Sequence, residues 1–580
     1  MVGGGIAAMA LALDLAQRGQ AVVLAEQRVA GDTWPGYFVL ARQSLEYFRA
    51  MGIDREILAA ALPPHLPYVH RLCVGNLAGE EIARFEGPSV DDCSGRDPQA
   101  AARYPSLHWS PTTRTPIDKR ALEEVLRRRV RSLPNLEARF GWRLEGLQNL
   151  ATHVEAELVE LASGRRESVV ADYLVACDGA EGWTRRALGI PAAVSGPPLQ
   201  YIEGVFRSRT LRELMAERRA NLLVVLDSEY PGFIHEVDGA DLWQYSALRR
   251  SGELIDRTQL SHWLLRTIGR PCDIEWLYGA EKPIKQHVAS RYREGRVLLA
   301  GDAAHPLISF WALSEATALG DARNLAWKLD AVLRGWAHEV VLDSYERERH
   351  PVAAERSLKQ QSIFGSYIAV LQDIAAAGSR DPSRVEPLPP RVRDSAIALW
   401  SRFFGAESAS LLNCYRYSPC IAHDSAADAP PDPGQSRGAC RPGRRAPHMW
   451  MRDGRSTLDL FGRDFVLLRV VHDGDAPSDV DAHRWREAAG AVGMPLTIEV
   501  VADAAVAALY SPRWLLIRPD GIIAWQGDAL PQDPVGVLDR VRGFFTPPPP
   551  YKPAFDLAAV PFGRGNETRM KHRPEPLDAR

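Results

Sequence analysis

The chain has 580 residues, too many for one hydrophobic core, so two or three domains are expected. Its net charge of −3 gives no electrostatic case for nucleic acid or an anionic membrane, and no apolar run is long enough to span a bilayer. The only candidate leader is interrupted by Asp14 and Arg18, and the 7 cysteines form neither C-x-x-C nor a zinc spacing. A cytoplasmic protein with reduced thiols and no metal is the expectation.

Gly3-Gly4-Gly5-Ile6-Ala7-Ala8 fits G-x-G-x-x-[GA], and the apolar positions Met9, Leu11, Leu13 and Leu15 continue it as a helix until Gly19. Ala21-Val22-Val23-Leu24-Ala25-Glu26 then reads as a strand ending in an acid. Small residues let backbone amides approach a pyrophosphate at the helix start, and the acid can accept from ribose hydroxyls. Only Met1 and Val2 precede the loop, so the first strand is expected to be short. Either the natural gene starts several codons upstream or the cofactor is weakly held.

Further along, Asp172-Tyr173-Leu174-Val175-Ala176-Cys177-Asp178-Gly179-Ala180 is a buried strand running into an Asp-Gly turn. From Gly196 to Ile284 the strand-rich stretch alternates poorly with helices and predicts a mostly antiparallel sheet on the substrate side. Val297-Leu298-Leu299-Ala300 ends in Gly301-Asp302-Ala303-Ala304-His305, which can aim a carboxylate at a hydroxyl chain. The helix Asp321-Ala322-Arg323-Asn324-Leu325-Ala326-Trp327-Lys328-Leu329 follows. A proline-punctuated region leads to Leu515-Leu516-Ile517-Arg518-Pro519-Asp520-Gly521-Ile522-Ile523, a strand, a Pro-Asp-Gly turn and a second strand. Pro547-Pro548-Pro549-Pro550 opens an extended, polar tail.

Taken together, these segments resemble the class A FAD-dependent aromatic hydroxylases, the polyketide monooxygenases of the para-hydroxybenzoate hydroxylase-like fold with a thioredoxin-like C-terminal domain. The resemblance implies an α/β chain. Residues 1–190 and 285–380 form a Rossmann-like FAD-binding domain, and 191–284 an inserted antiparallel sheet. A linker with helix follows at 381–440, then a thioredoxin-like domain at 441–546 and a tail at 547–580. It further implies FAD held by Gly3, Gly5, Ala8, Glu26, Gln27, Arg42, Lys119, Asp178, Gly179, Gly301, Asp302, Leu313 and Ser314. NADPH enters only if the reaction is redox. Arg42 reads equally well as a solvated arginine at a helix start, and His448 reads as a structural residue at the domain junction. The C-terminal domain lacks C-x-x-C, so packing or a homodimer is its expected role.

One stretch departs from the family. Its two prolines after Gly-Asp-Ala-Ala-His are Ile308 and Ser309 here. The glycines of its G-x-N-x-G-x-x-D-A loop fall on Ala312, Ser314 and Ala318, and the asparagine falls on Ala316. Lys119 stands near the place of the family's flavin-contacting glutamine. Three readings follow: a hydroxylase or Baeyer–Villiger-type oxygenase with an atypical loop, a flavin-fold cyclase whose FAD is structural and whose reaction is not redox, such as a [4+2] cyclase on a polyketide, and a catalytically silent binding protein. All three expect a bulky apolar substrate. Trp34, Tyr37, Phe38, Phe310 and Trp311 line its pocket or pack the core. No catalytic acid or base is singled out.

Overall fold

The computed structural model describes residues 1–31, 35–95, 97–194, 199–248, 257–284, 286–308, 313–377, 388–410, 415, 418–422, 440–473 and 479–545. The polyproline tail and the prolines at 430–434 lie outside the described residues. The expected mixed α/β architecture is present. Six helices carry the argument: α1 (Ile6–Gln17), α2 (Arg42–Ala50), α3 (Lys119–Ser132), α4 (Leu313–Leu333), α5 (Val340–Ala377) and α6 (Pro390–Ser410).

The first layer is a parallel sheet. Strand Val22–Glu26 pairs with Leu136–Phe140, and Leu174–Ala176 pairs with Val297–Leu299. Val2 bridges the two pairs, touching Ala25 on one side and Ala176 on the other. Both faces of such a sheet are covered, which is why its strands read as unbroken Val, Leu and Ala. Helix α1 packs on it and is buried from Ala8 through Ala16. Its alanines let the backbone approach both the sheet and α4.

The second layer is a seven-stranded sheet in the order Glu275–Ile284, Leu199–Arg207, Leu242–Leu248, Gly232–Glu236, Leu222–Leu226, Tyr68–Val74, Glu81–Gly87. One face buries Val69, Leu223, Ile234 and Tyr245 against Leu260 and Leu264 of a covering helix. The opposite, inner face buries Leu72, Val224 and Phe233 against Tyr367 of α5 and Trp400 of α6. The sequence alone places this sheet wholly within 191–284, yet two of its strands come from residues 68–87. Strand Tyr68–Val74 pairs in parallel with Leu222–Leu226. A parallel partner some 150 residues away leaves no local spacing to read.

The C-terminal part is a four-stranded sheet, Leu496–Val501, Phe465–Val470, Trp514–Ile517, Ile523–Gly527, with the first pair parallel and the others antiparallel. Buried charge joins it to the rest. On α5, Glu348 accepts from Lys328 Nζ at 2.8 Å and from both terminal nitrogens of Arg518 at 2.7 and 2.8 Å, and all three side chains are fully buried. Asn324 donates to Glu348 at 2.6 Å, and Arg518 also pairs with Asp520 across its own turn.

Burial alone would push the Glu348 carboxyl up, but Arg518 and Lys328 outweigh it and hold the group well below the ordinary carboxylate range. A depressed carboxylate contributes stability that is complete above its unfolded value, about 4.3, and is lost as pH falls through the folded one. Glu348→Gln should cost about 3–5 kcal/mol at pH 7, because it strands buried Lys328 and leaves Arg518 with Asp520 alone. Thermal melts at pH 7 and below about pH 4.5 check this. The wild type should lose melting temperature with acid more steeply than the variant does.

Candidate functional site

Gly3, Gly4 and Gly5 differ in what they do. Gly3 has φ +98°, and a Cβ built there would sit 2.2 Å from the Cys177 carbonyl oxygen. Only glycine lets the first loop lie against the Cys177–Asp178 turn. At Gly4 a Cβ would meet the Glu26 side chain at 2.7 Å. Gly5 is ordinary in conformation (φ −71°, ψ 173°), sits immediately before α1, and faces open space with nothing within 4 Å of a built Cβ. The first turn of α1 thus presents unblocked amides to a void, an arrangement able to take a phosphate. Ala8, one turn in, is fully buried.

The other expected motifs lie close to this turn. Buried Glu26 accepts from the Gly4 amide at 2.5 Å and from the Arg28 amide at 2.8 Å. Gln27, next along, is exposed. Asp178 accepts from the Thr184 amide and hydroxyl at 2.9 and 2.8 Å through one oxygen. Its other oxygen is buried with no partner among the described residues. Gly179 follows at φ +86°. Gly301, at φ +60°, lies where α1 and α4 cross, its missing side chain facing Ala7 and Ala318. Asp302 keeps solvent exposure between buried Gly301 and Ala303. Burial pushes its carboxyl up, against the pull of His305 and Lys119. Burial and then the Asp178, Asp321 and Asp302 carboxyls push the Cys177 thiol up to about 12, which marks the three motifs as neighbours.

Asp321 holds the Gly-Asp turn in place. It accepts from the Gly301 amide at 3.0 Å, from His305 Nε2 at 2.6 Å and from Arg349 Nε at 2.8 Å, all buried. Burial would raise this carboxyl, and His305 and Arg349 reverse that and hold it low. Neither Asp321 nor Arg349 stands out from sequence as a site residue. The signal was present in a buried-helix acid sixteen residues after the histidine, but its partner comes from a different helix.

Toward the sheet, Lys119 opens α3 and its amide donates to the Gly36 carbonyl at 2.9 Å. Tyr37 stacks on His235 with ring centroids 4.3 Å apart and donates its amide to Gln244 Oε1 at 2.8 Å. Arg42 begins α2 and is buried near Cys93, and its carbonyl accepts from Thr112. Tyr37 and Phe38 are half-buried, whereas Trp34, Phe310 and Trp311 lie outside the described residues.

Two comparisons with known proteins cover most of the chain. Residues 1–357 match the FAD binding domain model, and residues 439–548 match the model for the aromatic-ring hydroxylase C-terminal domain. The chain belongs to the FAD-dependent aromatic-ring hydroxylase family. A putative polyketide hydroxylase of Streptomyces halstedii is 30% identical over 572 residues, covering 92% of this chain and 93% of the relative. A 4-methyl-5-nitrocatechol 5-monooxygenase of a Burkholderia species is 31% identical over 575 residues, covering 93% and 96%. Among solved structures, the rebeccamycin biosynthetic enzyme RebC with reduced flavin is 30% identical with a TM-score of 0.79, covering 93% of this chain and 98% of that one.

Against that family pattern, the reshaped loop has its own supports. Ser309 and Ala312 lie outside the described residues. Ile308 carries an amide that the family's proline lacks. The Gln360 side chain accepts from that amide at 3.2 Å and donates to the Ile308 carbonyl at 2.9 Å. Helix α4 is already formed at buried Leu313 and half-buried Ser314, in place of a glycine loop. From its first turn Glu315 accepts from the Ala41 amide at 2.5 Å and the Ser44 hydroxyl at 2.6 Å, capping α2.

The glycines give a paired prediction. Gly3→Ala should destabilise the fold by about 2 kcal/mol or more, through positive φ and a backbone clash. Gly5→Ala should leave the melting temperature of the cofactor-free protein unchanged and lower FAD retention on gel filtration. Equal FAD retention in Gly5→Ala and wild type would count against a phosphate at this helix start.

Proposed function

We propose that the protein is an FAD-dependent monooxygenase that adds one oxygen atom to a bulky, planar phenolic or polyketide intermediate. The observation that carries the reading is the convergence of four motifs on the start of α1: Gly3 lies against the Cys177–Asp178 turn, Gly4 against Glu26, and Gly301 against Ala7. These residues fit the group. Gly3, Gly5 and the α1 amides would hold its pyrophosphate, with Ala8 allowing the close approach and Asp178-Gly179 alongside. Glu26, with Gln27 beside it, would take the adenosine ribose, and Asp302 the ribityl chain, with Gly301 giving it room. Arg42, Lys119, Leu313 and Ser314 complete the surround.

When bound, the flavin supplies electron transfer from NADPH to dioxygen. The protein's own part is orientation and exclusion of water. Asp321 and Arg349 fix the Gly301–His305 turn, Gln360 fixes the segment after it at Ile308, and the sheet with α5 and α6 closes the apolar side. The polyketide class is supported by the Streptomyces relative, and the small polar set of buried Gln244 with half-buried His235 and Tyr37 suits a hydroxylated aromatic.

A second reading rests on α4. Side chains occupy the family's glycine positions at Ser314 and Ala318, and Glu315 is committed to α2. Such a site suits a non-redox cyclase that keeps FAD as structure. One experiment separates the two. The first reading expects NADPH oxidation and a product heavier by one oxygen when the purified protein is given substrate, NADPH and air. Anaerobic, NADPH-independent conversion to an isomer would sink it. Asp302→Ala should weaken FAD binding by about 1–3 kcal/mol on either reading.

A further inference from the structure

Helix α4 begins beside the turn that carries Asp302: a Cβ added at Gly301 would lie 3.4 Å from that of Ala318. The first turn of α4, Leu313 to Thr317, therefore stands next along from the place assigned to the ribityl chain. The amides at a helix start carry partial positive charge. Helix α5 brings two cations to this turn. Arg356 is buried and donates from Nη1 to the Thr317 hydroxyl at 2.6 Å, and that hydroxyl donates to the Leu313 carbonyl at 2.5 Å. Arg349, two turns earlier, donates to the Thr317 carbonyl at 2.9 Å, but Asp321 neutralises it. Burial and then the Arg349 charge hold the Arg356 guanidinium down to a pKa of about 10, against the pull of Tyr415, Asp321 and Glu315. Lys359, three residues on, is half-buried and forms no ion pair among the described residues. Burial and then Arg356 lower its pKa as well. The next residue, Gln360, holds Ile308, so this stretch of α5 borders the loop that departs from the family.

A helix start and two cations, all positive, thus meet with burial acting on both side chains. Such a grouping is costly by itself and favours whichever ligand form brings negative charge to it. We propose that Arg356 and Lys359 are positioning charges for the flavin that favour its reduced, anionic form over its oxidised, neutral one. Hydride transfer from a dihydronicotinamide delivers two electrons and one proton to the ring. The ring is left with one negative charge, and the donor becomes a pyridinium cation. The two side chains therefore act on the difference between the forms, and that difference is the reduction potential. Arg356 acts through the first turn of α4, with Thr317 as the link. The inference rests on FAD at this site and holds whether the reaction is an oxygenation or a cyclisation.

The test measures the reduction potential of FAD on the full chain, by anaerobic titration with dithionite beside a dye of known potential at pH 7. Visible absorbance is recorded first, so that cofactor binding is read separately from potential. Arg356→Met keeps the length and removes the charge. It should lower the preference for reduced over oxidised flavin about tenfold, which for a two-electron couple is a fall of about 30 mV. Arg356→Lys should restore most of that fall, which a purely structural role of the side chain would not predict. Lys359→Met, at a half-buried and therefore more screened position, should move the potential the same way by about threefold in the same preference. If Arg356→Met loses FAD, Lys359→Met decides the matter alone. Unchanged potential in an FAD-loaded Arg356→Met, or in Lys359→Met, would overturn the proposal. So would an equal fall in Arg356→Lys and Arg356→Met. A wild type that holds no FAD would overturn it together with the cofactor reading, whereas bound FAD with an unmoved potential overturns it alone.

Discussion

Two adjacent residues of one helix, Glu348 and Arg349, carry the interaction on which the rest depends. Glu348 binds the C-terminal domain through Arg518 and α4 through Lys328. Arg349 binds Asp321, which in turn holds the turn that carries Asp302. Each charge is buried, and each alone would be expensive in so dry a place. Matched in this order, they fix one relative setting of three elements that apolar packing would leave free to slide. The C-terminal domain carries no C-x-x-C pair. Its contribution to the site is a guanidinium and a carboxylate at a Pro-Asp-Gly turn.

The turns that the sequence assigns to a cofactor were legible because they are local. A glycine turn, an acid at a strand end and an Asp-Gly turn each need residues of fixed type within a few positions, and Gly3, Glu26, Asp178 and Gly301 stand at such places. What the sequence hid is what depends on distant partners. Strand Tyr68–Val74 joins a sheet whose other strands lie far along the chain, except for its neighbour Glu81–Gly87. Asp321 looks like one acid among several on a helix until Gly301, His305 and Arg349 are seen to converge on it.

The departure from the family loop shows the same division. Losing the family's glycines at Ser314 and Ala318 was visible by counting on from His305 against the family motif, and it suggested a reshaped loop. That the change is supported by Gln360 on the Ile308 peptide and by Glu315 on the start of α2 was not visible, because both contacts cross between elements. The substitutions therefore belong to a set. Proline restored at 308 would remove the amide that Gln360 accepts from, leaving Gln286 as the donor to that oxygen.

The burial of α1 has a consequence for how the chain is made. Its residues from Ala8 to Ala16 have no exposed side in the finished protein. The sheet that covers one flank is completed only by Val297–Leu299, and the helix that covers another begins at Leu313. At roughly 5–20 residues per second, a ribosome exposes this apolar segment for tens of seconds before either partner exists. This apolar helix thus emerges well before the elements that cover it.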